Sequence, residues 1–193
     1  MLKKILGFGL VTLTFLGTAF ATRSNGSCEK LALQQNFDAS QYVGTWFEQA
    51  RDKNFLFEHY DCAQARYTAK PNGDIAVLNT EFNPSTHKVE SATATAICKG
   101  SACKVYFVPL VGGDYEVLST DYENYSLVYS CENLFLGMKD ENVWILTRDQ
   151  TLSADIDAKV KEILADKVPH YNWSENFHVT KHGGSCKYLE SQE

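Results

Sequence analysis

The sequence predicts an all-β protein, an eight-stranded antiparallel up-and-down barrel with one helix packed against its outside. Three observations carry that prediction. Eight short strand-forming runs succeed one another with turn chemistry between them. A single amphipathic pattern, Ser153 to Lys167, comes after the last run. Gly44-Thr45-Trp46, at the mouth of the first run, finds partners at the ends of later runs, as a closed sheet requires. Eight strands can close around room for one small ligand. A two-sheet sandwich is the alternative that periodicity alone leaves open.

Ahead of the strands, Met1 to Ala21 read as a secretory leader. Lys3 and Lys4 precede an apolar run from Ile5 to Phe20, and Ala19-Phe20-Ala21 has the small residues of a cleavage site. That run is short and wrongly flanked for a membrane span and no second one follows, so a soluble, exported chain without a transmembrane segment is expected. Residues 22–193, about 172 of them, suit one domain with its own core. The 18 Lys and Arg stand against 24 Asp and Glu, a net charge of −6, and two of those lysines belong to the leader. Such an acidic chain argues against nucleic acid and anionic membranes as partners.

After a short tail from Thr22 to Gln35 comes Thr45 to Arg51, the first strand. Cys62 to Lys70 is stopped by Pro71-Asn72-Gly73, and Asp74 to Phe82 by Asn83-Pro84-Ser85. Lys88 to Cys98 alternates small and polar residues. Lys104 to Val108, Asp114 to Thr120, Tyr125 to Cys131 and Asn142 to Arg148 complete the set. In the helix, Ile156, Val160, Ile163 and Leu164 share one face, and Asp155 and Asp157 suit the positive end of the helix dipole.

Antiparallel neighbours fix which connections share an end. Trp46, the turn Thr120-Asp121-Tyr122 and Arg148 collect at one end, where a guanidinium laid over the indole makes a natural lid. The other end gathers Asp52 to Asp61, Asn83 to His87, Pro109 to Gly113 and Glu132 to Glu141. Phe55, Leu56, Phe57, Leu134, Phe135, Leu136 and Met138 make two of these connections greasy. They form either an entrance for an apolar ligand or partner, or a plug tucked inside. Alternation from Trp46 places Glu48 and Ala50 inward, and counting back from Arg148 places Leu146 and Trp144 inward. Val105, Phe107, Tyr115 and Val117 are expected to add to the inner wall.

Cys28, Cys62, Cys98, Cys103, Cys131 and Cys186 form an even set behind a leader, which reads as three disulfides. Cys98 and Cys103 would clamp one turn, and the other four leave three pairings open. Asn25-Gly26-Ser27, Asn124-Tyr125-Ser126 and Asn172-Trp173-Ser174 are acceptor triplets for N-glycans, with Asn124 placed in the sealed turn.

Together, Asn36-Phe37-Asp38 with Gly44-x-Trp46, then Thr120-Asp121-Tyr122, then Arg148 resemble the three motifs of the lipocalin family, and the match spans the mature chain. The runs 120–131 and 143–148 look most like the apolipoprotein D branch, with similarity also to the pigment lipocalins that carry bilin or carotenoid. The resemblance implies a barrel carrying a small hydrophobic molecule: lipid, fatty acid, steroid, retinoid, bilin or carotenoid. No cofactor is required. It implies Cys28 paired with Cys131 and Cys62 with Cys186, the Cys98–Cys103 bridge being a departure from that branch. It also places Tyr67, Asn79 and Glu81 on the inner wall, Glu81 being either a desolvated cavity carboxyl or a solvated rim group. Gly44, Trp46, Thr120, Asp121, Tyr122 and Arg148 are then structural.

Two rivals stand beside the carrier. An isomerase of this family needs a free thiol in the barrel, and every cysteine here has a prospective partner. His178 and His182, the one close histidine pair, lie in the C-terminal tail and make no metal site by themselves. The second rival is a scaffold gripping a receptor or a second copy through its apolar mouth loops.

Overall fold

A computed structural model describes residues 23–189, and the leader read from Met1 to Ala21 lies outside the described residues. In chain order the elements are β1 (Arg23–Asn25), α1 (Ala39–Tyr42), β2 (Gly44–Asp52), β3 (Gln64–Ala69), β4 (Ile75–Asn83), β5 (Lys88–Lys99), β6 (Ala102–Val108), β7 (Val111–Thr120), β8 (Tyr125–Leu134) and β9 (Met138–Thr147). Then come α2 (Ala154–Lys167), α3 (Trp173–Asn176) and β10 (Phe177–Val179). Each strand from β2 to β8 pairs antiparallel with the next. β9 then returns to β2, with Phe47 opposite Thr147 and Arg51 opposite Trp144. That last pairing closes the sheet into a barrel and excludes the sandwich.

Alternation sorts the wall into two cores. Inside lie Trp46, Tyr67, Val77, Ala96, Val117, Val128 and Leu146. Outside, Leu118, Leu127, Tyr129, Val143 and Ile145 meet Val160 and Leu164 of α2. The Ser153 hydroxyl caps this helix by accepting from the Ile156 N–H, and Asp155 and Asp157 occupy its first turn. Val160 and Leu164 are fully buried, each stabilising the fold by about 1.5–3 kcal/mol.

Simple alternation fails where a strand carries an extra residue. Glu48 faces Leu146 but Ala50 faces Ile145, so Gln49 is a bulge. Ala50, expected inward, therefore joins the outer core. A second bulge at Phe107 leaves that ring 49% exposed at the mouth, so it is not part of an enclosed wall. Leu118 is a third, with Val117 opposite Val128 and Ser119 opposite Leu127.

The chain before β2 is less of a tail than its composition implied. β1 adds to the edge of β9, Arg23 opposite Asp140. The backbone then passes to the closed end, where Gln34 donates to the Val117 carbonyl and accepts from Ser101 Oγ. After α3, β10 pairs with the half of β2 that β3 leaves uncovered, Val179 opposite Ala50. Disulfides join Cys28 to Cys131, Cys62 to Cys186 and Cys98 to Cys103.

At the closed end, Arg148 lies over Trp46 with Cζ 3.7 Å from the ring centroid. Its nitrogens donate to the carbonyls of Thr45 (2.9 Å), Tyr122 (2.9 Å) and Gln41 (3.0 Å), tying three segments together. Gly44 adopts φ +99°, and a Cβ there would come within 3.1 Å of the guanidinium, so glycine leaves the space the lid occupies. The Asp121 carboxylate accepts from the Asn124 and Tyr125 N–H groups, and Tyr122 takes a positive φ to complete the turn. Burial opposes ionisation of Asp121, but those N–H donors hold its pKa below the usual range.

Arg148→Ala removes the stacking and three hydrogen bonds at once. It should lower stability by about 2–3 kcal/mol. Chemical denaturation would check this, and an unchanged midpoint would remove Arg148 from its sealing role.

Candidate ligand-binding site

Above the seal the inner wall is aromatic but wet with hydroxyls. Tyr42, the last residue of α1, reaches upward so that its OH meets Tyr115 Oη at 2.8 Å and Ser126 Oγ at 2.7 Å. Tyr67 Oη lies 3.0 Å from Tyr115 Oη, and the Tyr42 and Tyr67 rings stack with centroids 5.7 Å apart. Burial pushes the Tyr42 phenol up to about 12 and raises those of Tyr67 and Tyr115 as well. All three are therefore neutral O–H groups at physiological pH.

Asn79 sits on the same face, opposite Ala65 and two residues along from Val77, the partner of Tyr67. Its Oδ1 is buried and has no hydrogen-bond partner. A buried amide oxygen in that condition costs about 1–3 kcal/mol unless something donates to it. Val105, Tyr115, Val117 and Leu146 pack with this inner cluster. Trp144 stands higher on β9, opposite Arg51.

Towards the mouth the chemistry becomes ionic. The bulge at Gln49 turns both Glu48 and Arg51 inward, where they form a buried pair at 2.6 Å, and Thr180 Oγ1 donates to the same Glu48 oxygen. From the β2–β3 connection, Glu58 accepts from Trp144 Nε1 at 3.0 Å, and Phe55 packs edge-on to the Trp144 ring at 4.8 Å. Part of the connection is therefore folded inward as a plug. Glu81 is at the rim, where its Oε2 accepts from the N–H groups of His59 (2.8 Å) and Tyr60 (2.9 Å). It holds the loop.

Several other apolar loop residues face out. Phe57 is 80% exposed, Leu110 97% and Phe135 84%, with Leu56, Val111 and Leu136 beside them on the same three connections. The two tail histidines serve the wall from outside: His178 lies 2.9 Å from Asp61, and His182 donates to the Glu48 carbonyl.

Tyr42, Arg51, Phe55 and Glu58 were not singled out by sequence. The Tyr42 carbonyl accepts from Trp46 Nε1 four residues on, a main-chain contact that leaves no mark of the side chain's role in the sequence. Arg51 was hidden by the bulge, and a carboxylate in a loop gives no sign that it turns inward.

Residues 37–180 match the family model described as a lipocalin-like domain. Apolipoprotein D of Cavia porcellus is 37% identical over 143 residues, 72% of this chain and 75% of that protein. The Lazarillo protein of Schistocerca americana is 30% identical over an alignment that spans all of this chain and 91% of its own length. Among solved structures, insecticyanin from the tobacco hornworm Manduca sexta superposes with a TM-score of 0.74 at 20% identity, covering 86% of this chain and 92% of that one. Apocrustacyanin C1 gives a TM-score of 0.72 at 17% identity, over 85% and 93% of the two chains. With the sealed end, the closed barrel and the family match in agreement, this chain belongs to the lipocalin family.

Proposed function

We propose that this protein is a secreted carrier that binds one small hydrophobic molecule reversibly inside the barrel. The observation that carries the reading is the unpartnered Asn79 Oδ1, buried on an aromatic inner wall beside three neutral tyrosines. A ligand with an apolar body and one hydrogen-bond donor would satisfy that oxygen, and the tyrosine hydroxyls offer further donors and acceptors. Lipids, fatty acids, steroids, retinoids, bilins and carotenoids are the classes considered. Wall residues are Tyr67, Asn79, Val105, Tyr115, Val117, Trp144 and Leu146, with Glu81 and Phe107 at the rim.

Export is supported by the leader and by the pairing of all six cysteines. That pairing also leaves no thiol for isomerase chemistry, so carriage without catalysis is the reading. Residues 22–193 would be one domain. Asn25 and Asn172 are the N-glycan acceptors this reading favours, Asn172 being exposed at the start of α3. The Asn124 amide instead donates to Asp121 Oδ2 at 3.0 Å.

A second reading rests on the exposed mouth residues Leu56, Phe57, Leu110, Val111, Phe135 and Leu136. Three connections ending in bare apolar side chains are also what a protein interface needs. A receptor or a second copy would then be the partner.

Native mass spectrometry and an absorption spectrum of protein from its own source test the carrier directly. A non-covalent small-molecule adduct is expected, and a visible band would make it a pigment. Absence of any adduct, with no uptake of fluorescent fatty acid or retinol, would reject carriage. Asn79→Leu should weaken a hydrogen-bond-donating ligand by roughly tenfold, about 1.4 kcal/mol, while leaving the melting temperature at least as high, as a titration and a thermal melt would show. For the second reading, sedimentation at rising concentration should show assembly that Phe57→Ser with Phe135→Ser abolishes. A chain that stays monomeric would retire self-assembly.

A further inference from the structure

A groove of about 420 Å³ lies outside the barrel, between α2 and the segment that carries α3 and β10. Its floor is the outer face of β2 and β9 at Ala50 and Ile145, with Leu152, Phe177 and Val179 beside them. Trp173 and Ser174 stand at the α3 edge, Asp157 and Lys161 at the α2 edge. The two edges meet where Lys161 Nζ lies 4.2 Å from the Trp173 ring centroid. Apolar surface stays bare here, Val179 being 69% and Trp173 38% exposed. The volume is in the range that takes a small molecule.

One polar group of this groove lacks a partner. The Gln49 side chain, at the bulge and only 6% exposed, is part of the lining. Its Nε2 donates to Thr147 Oγ1 at 2.8 Å and to the Asp149 carbonyl at 3.1 Å. A carbonyl only accepts, so the amide cannot be turned round, and Oε1 is held off those two partners. No described residue donates to it. A purely aliphatic ligand would leave that oxygen unmet, at a cost of about 1–3 kcal/mol. An indole set among amide, carboxylate, hydroxyl and ammonium groups suits a sugar instead. Its ring turns C–H groups to the aromatic face, and its hydroxyls and N-acetyl N–H reach the polar side chains.

A sugar is also what the sequence attaches at this rim. Asn172-Trp173-Ser174 is an acceptor triplet, and Asn172 is exposed. Ser174 Oγ donates to Asn172 Oδ1 at 2.8 Å, which orients the amide. Nδ2, the atom that carries an N-glycan, has no partner among the described residues.

We propose that the groove between α2 and α3 is a saccharide site filled by the chain's own N-glycan: the first sugars on Asn172 lie in it, against Trp173 and within reach of Gln49. The inference rests on the acceptor reading of Asn172 and is independent of the carrier reading. The bond is made during export from a lipid-pyrophosphate-linked oligosaccharide. Asn172 Nδ2 bonds to the anomeric carbon, the lipid pyrophosphate leaves, and the amide gives up one proton. Lying in the groove, the glycan covers the bare surface of Trp173 and Val179 and offers Gln49 Oε1 a donor. It also bridges from α3 to α2 across β10, a strand of three residues that alone covers this part of β2.

The test uses the full chain made in a eukaryotic secretory host, with the Asn172 peptide weighed by mass spectrometry. Trp173 is read as the difference in acrylamide quenching between wild type and Trp173→Phe, before and after an amidase strips the glycan from the folded protein. Its quenching should become about two- to threefold stronger once the sugar is gone, since a pocket covers most of what it binds. Asn172→Gln, made without the glycan, should match the stripped wild type. Trp173→Ala keeps the acceptor triplet but loses the stacking platform. The amidase should therefore release its glycan several-fold faster than that of wild type from the native fold, and equally fast from denatured chains. Circular dichroism confirms the barrel in each variant. An occupied Asn172 whose stripping leaves Trp173 quenching unchanged would overturn the groove site and keep the acceptor reading. Equal native release from wild type and Trp173→Ala would do the same. A bare Asn172 rejects the acceptor reading and the groove site together. Trp173 shielded alike with and without sugar, in a protein that sediments as a dimer, gives the groove to a second copy and overturns the proposal.

Discussion

A guanidinium flat against an indole holds one end of this barrel shut, and the rest of the architecture depends on it. Arg148 touches Trp46 by stacking and reaches the backbone of the α1–β2 segment and the β7–β8 turn by hydrogen bonding. Those elements are far apart in sequence, and no apolar contact alone would fix their relative positions. Arginine suits the task because its planar fork stacks and donates in several directions at once. With this end sealed the molecule is a cup, and any traffic is confined to the other rim.

Polarity is graded along the axis of the cup. Next to the seal the hydroxyls of Tyr42, Tyr67, Tyr115 and Ser126 are neutral and satisfy one another. The midsection offers the unmet oxygen of Asn79. Only near the rim do formal charges appear inside, as Glu48 with Arg51. An ion placed deep in the cup would lose its hydration without gaining a counter-ion. The backbone makes this grading possible, since the bulge at Gln49 sends Arg51 inward to neutralise Glu48.

Much of this was legible in the chain. Strands with clear alternation between strong turns, such as β3, β4 and β5, announce themselves, and antiparallel order alone brings Trp46, Tyr122 and Arg148 together. The helix was legible because its apolar face and its acidic first turn agree. What escaped has definite causes. β1 and β10 are three residues long, too short for alternation to register. Ala50 was misplaced because the inserted Gln49 reverses the side chains after it, and Phe107 because it is itself the inserted residue, and a bulge has no compositional mark here. Glu58 was invisible because its position depends on Trp144, 86 residues away, and on the fold of a loop.

The short strand β10 carries a consequence for biosynthesis. Wall strand β3 leaves part of β2 bare, and that gap is filled only by residues near the C-terminus, locked there by Cys62–Cys186. The barrel also closes through β2 and β9, so its first wall strand waits for its last. A nascent chain therefore holds an unpaired edge and a free Cys62 thiol until residues 177–186 have been made. A chain cut short before Phe177 would lack both β10 and Cys186, leaving an open edge for aggregation and a thiol for mispairing, even though every barrel strand was present.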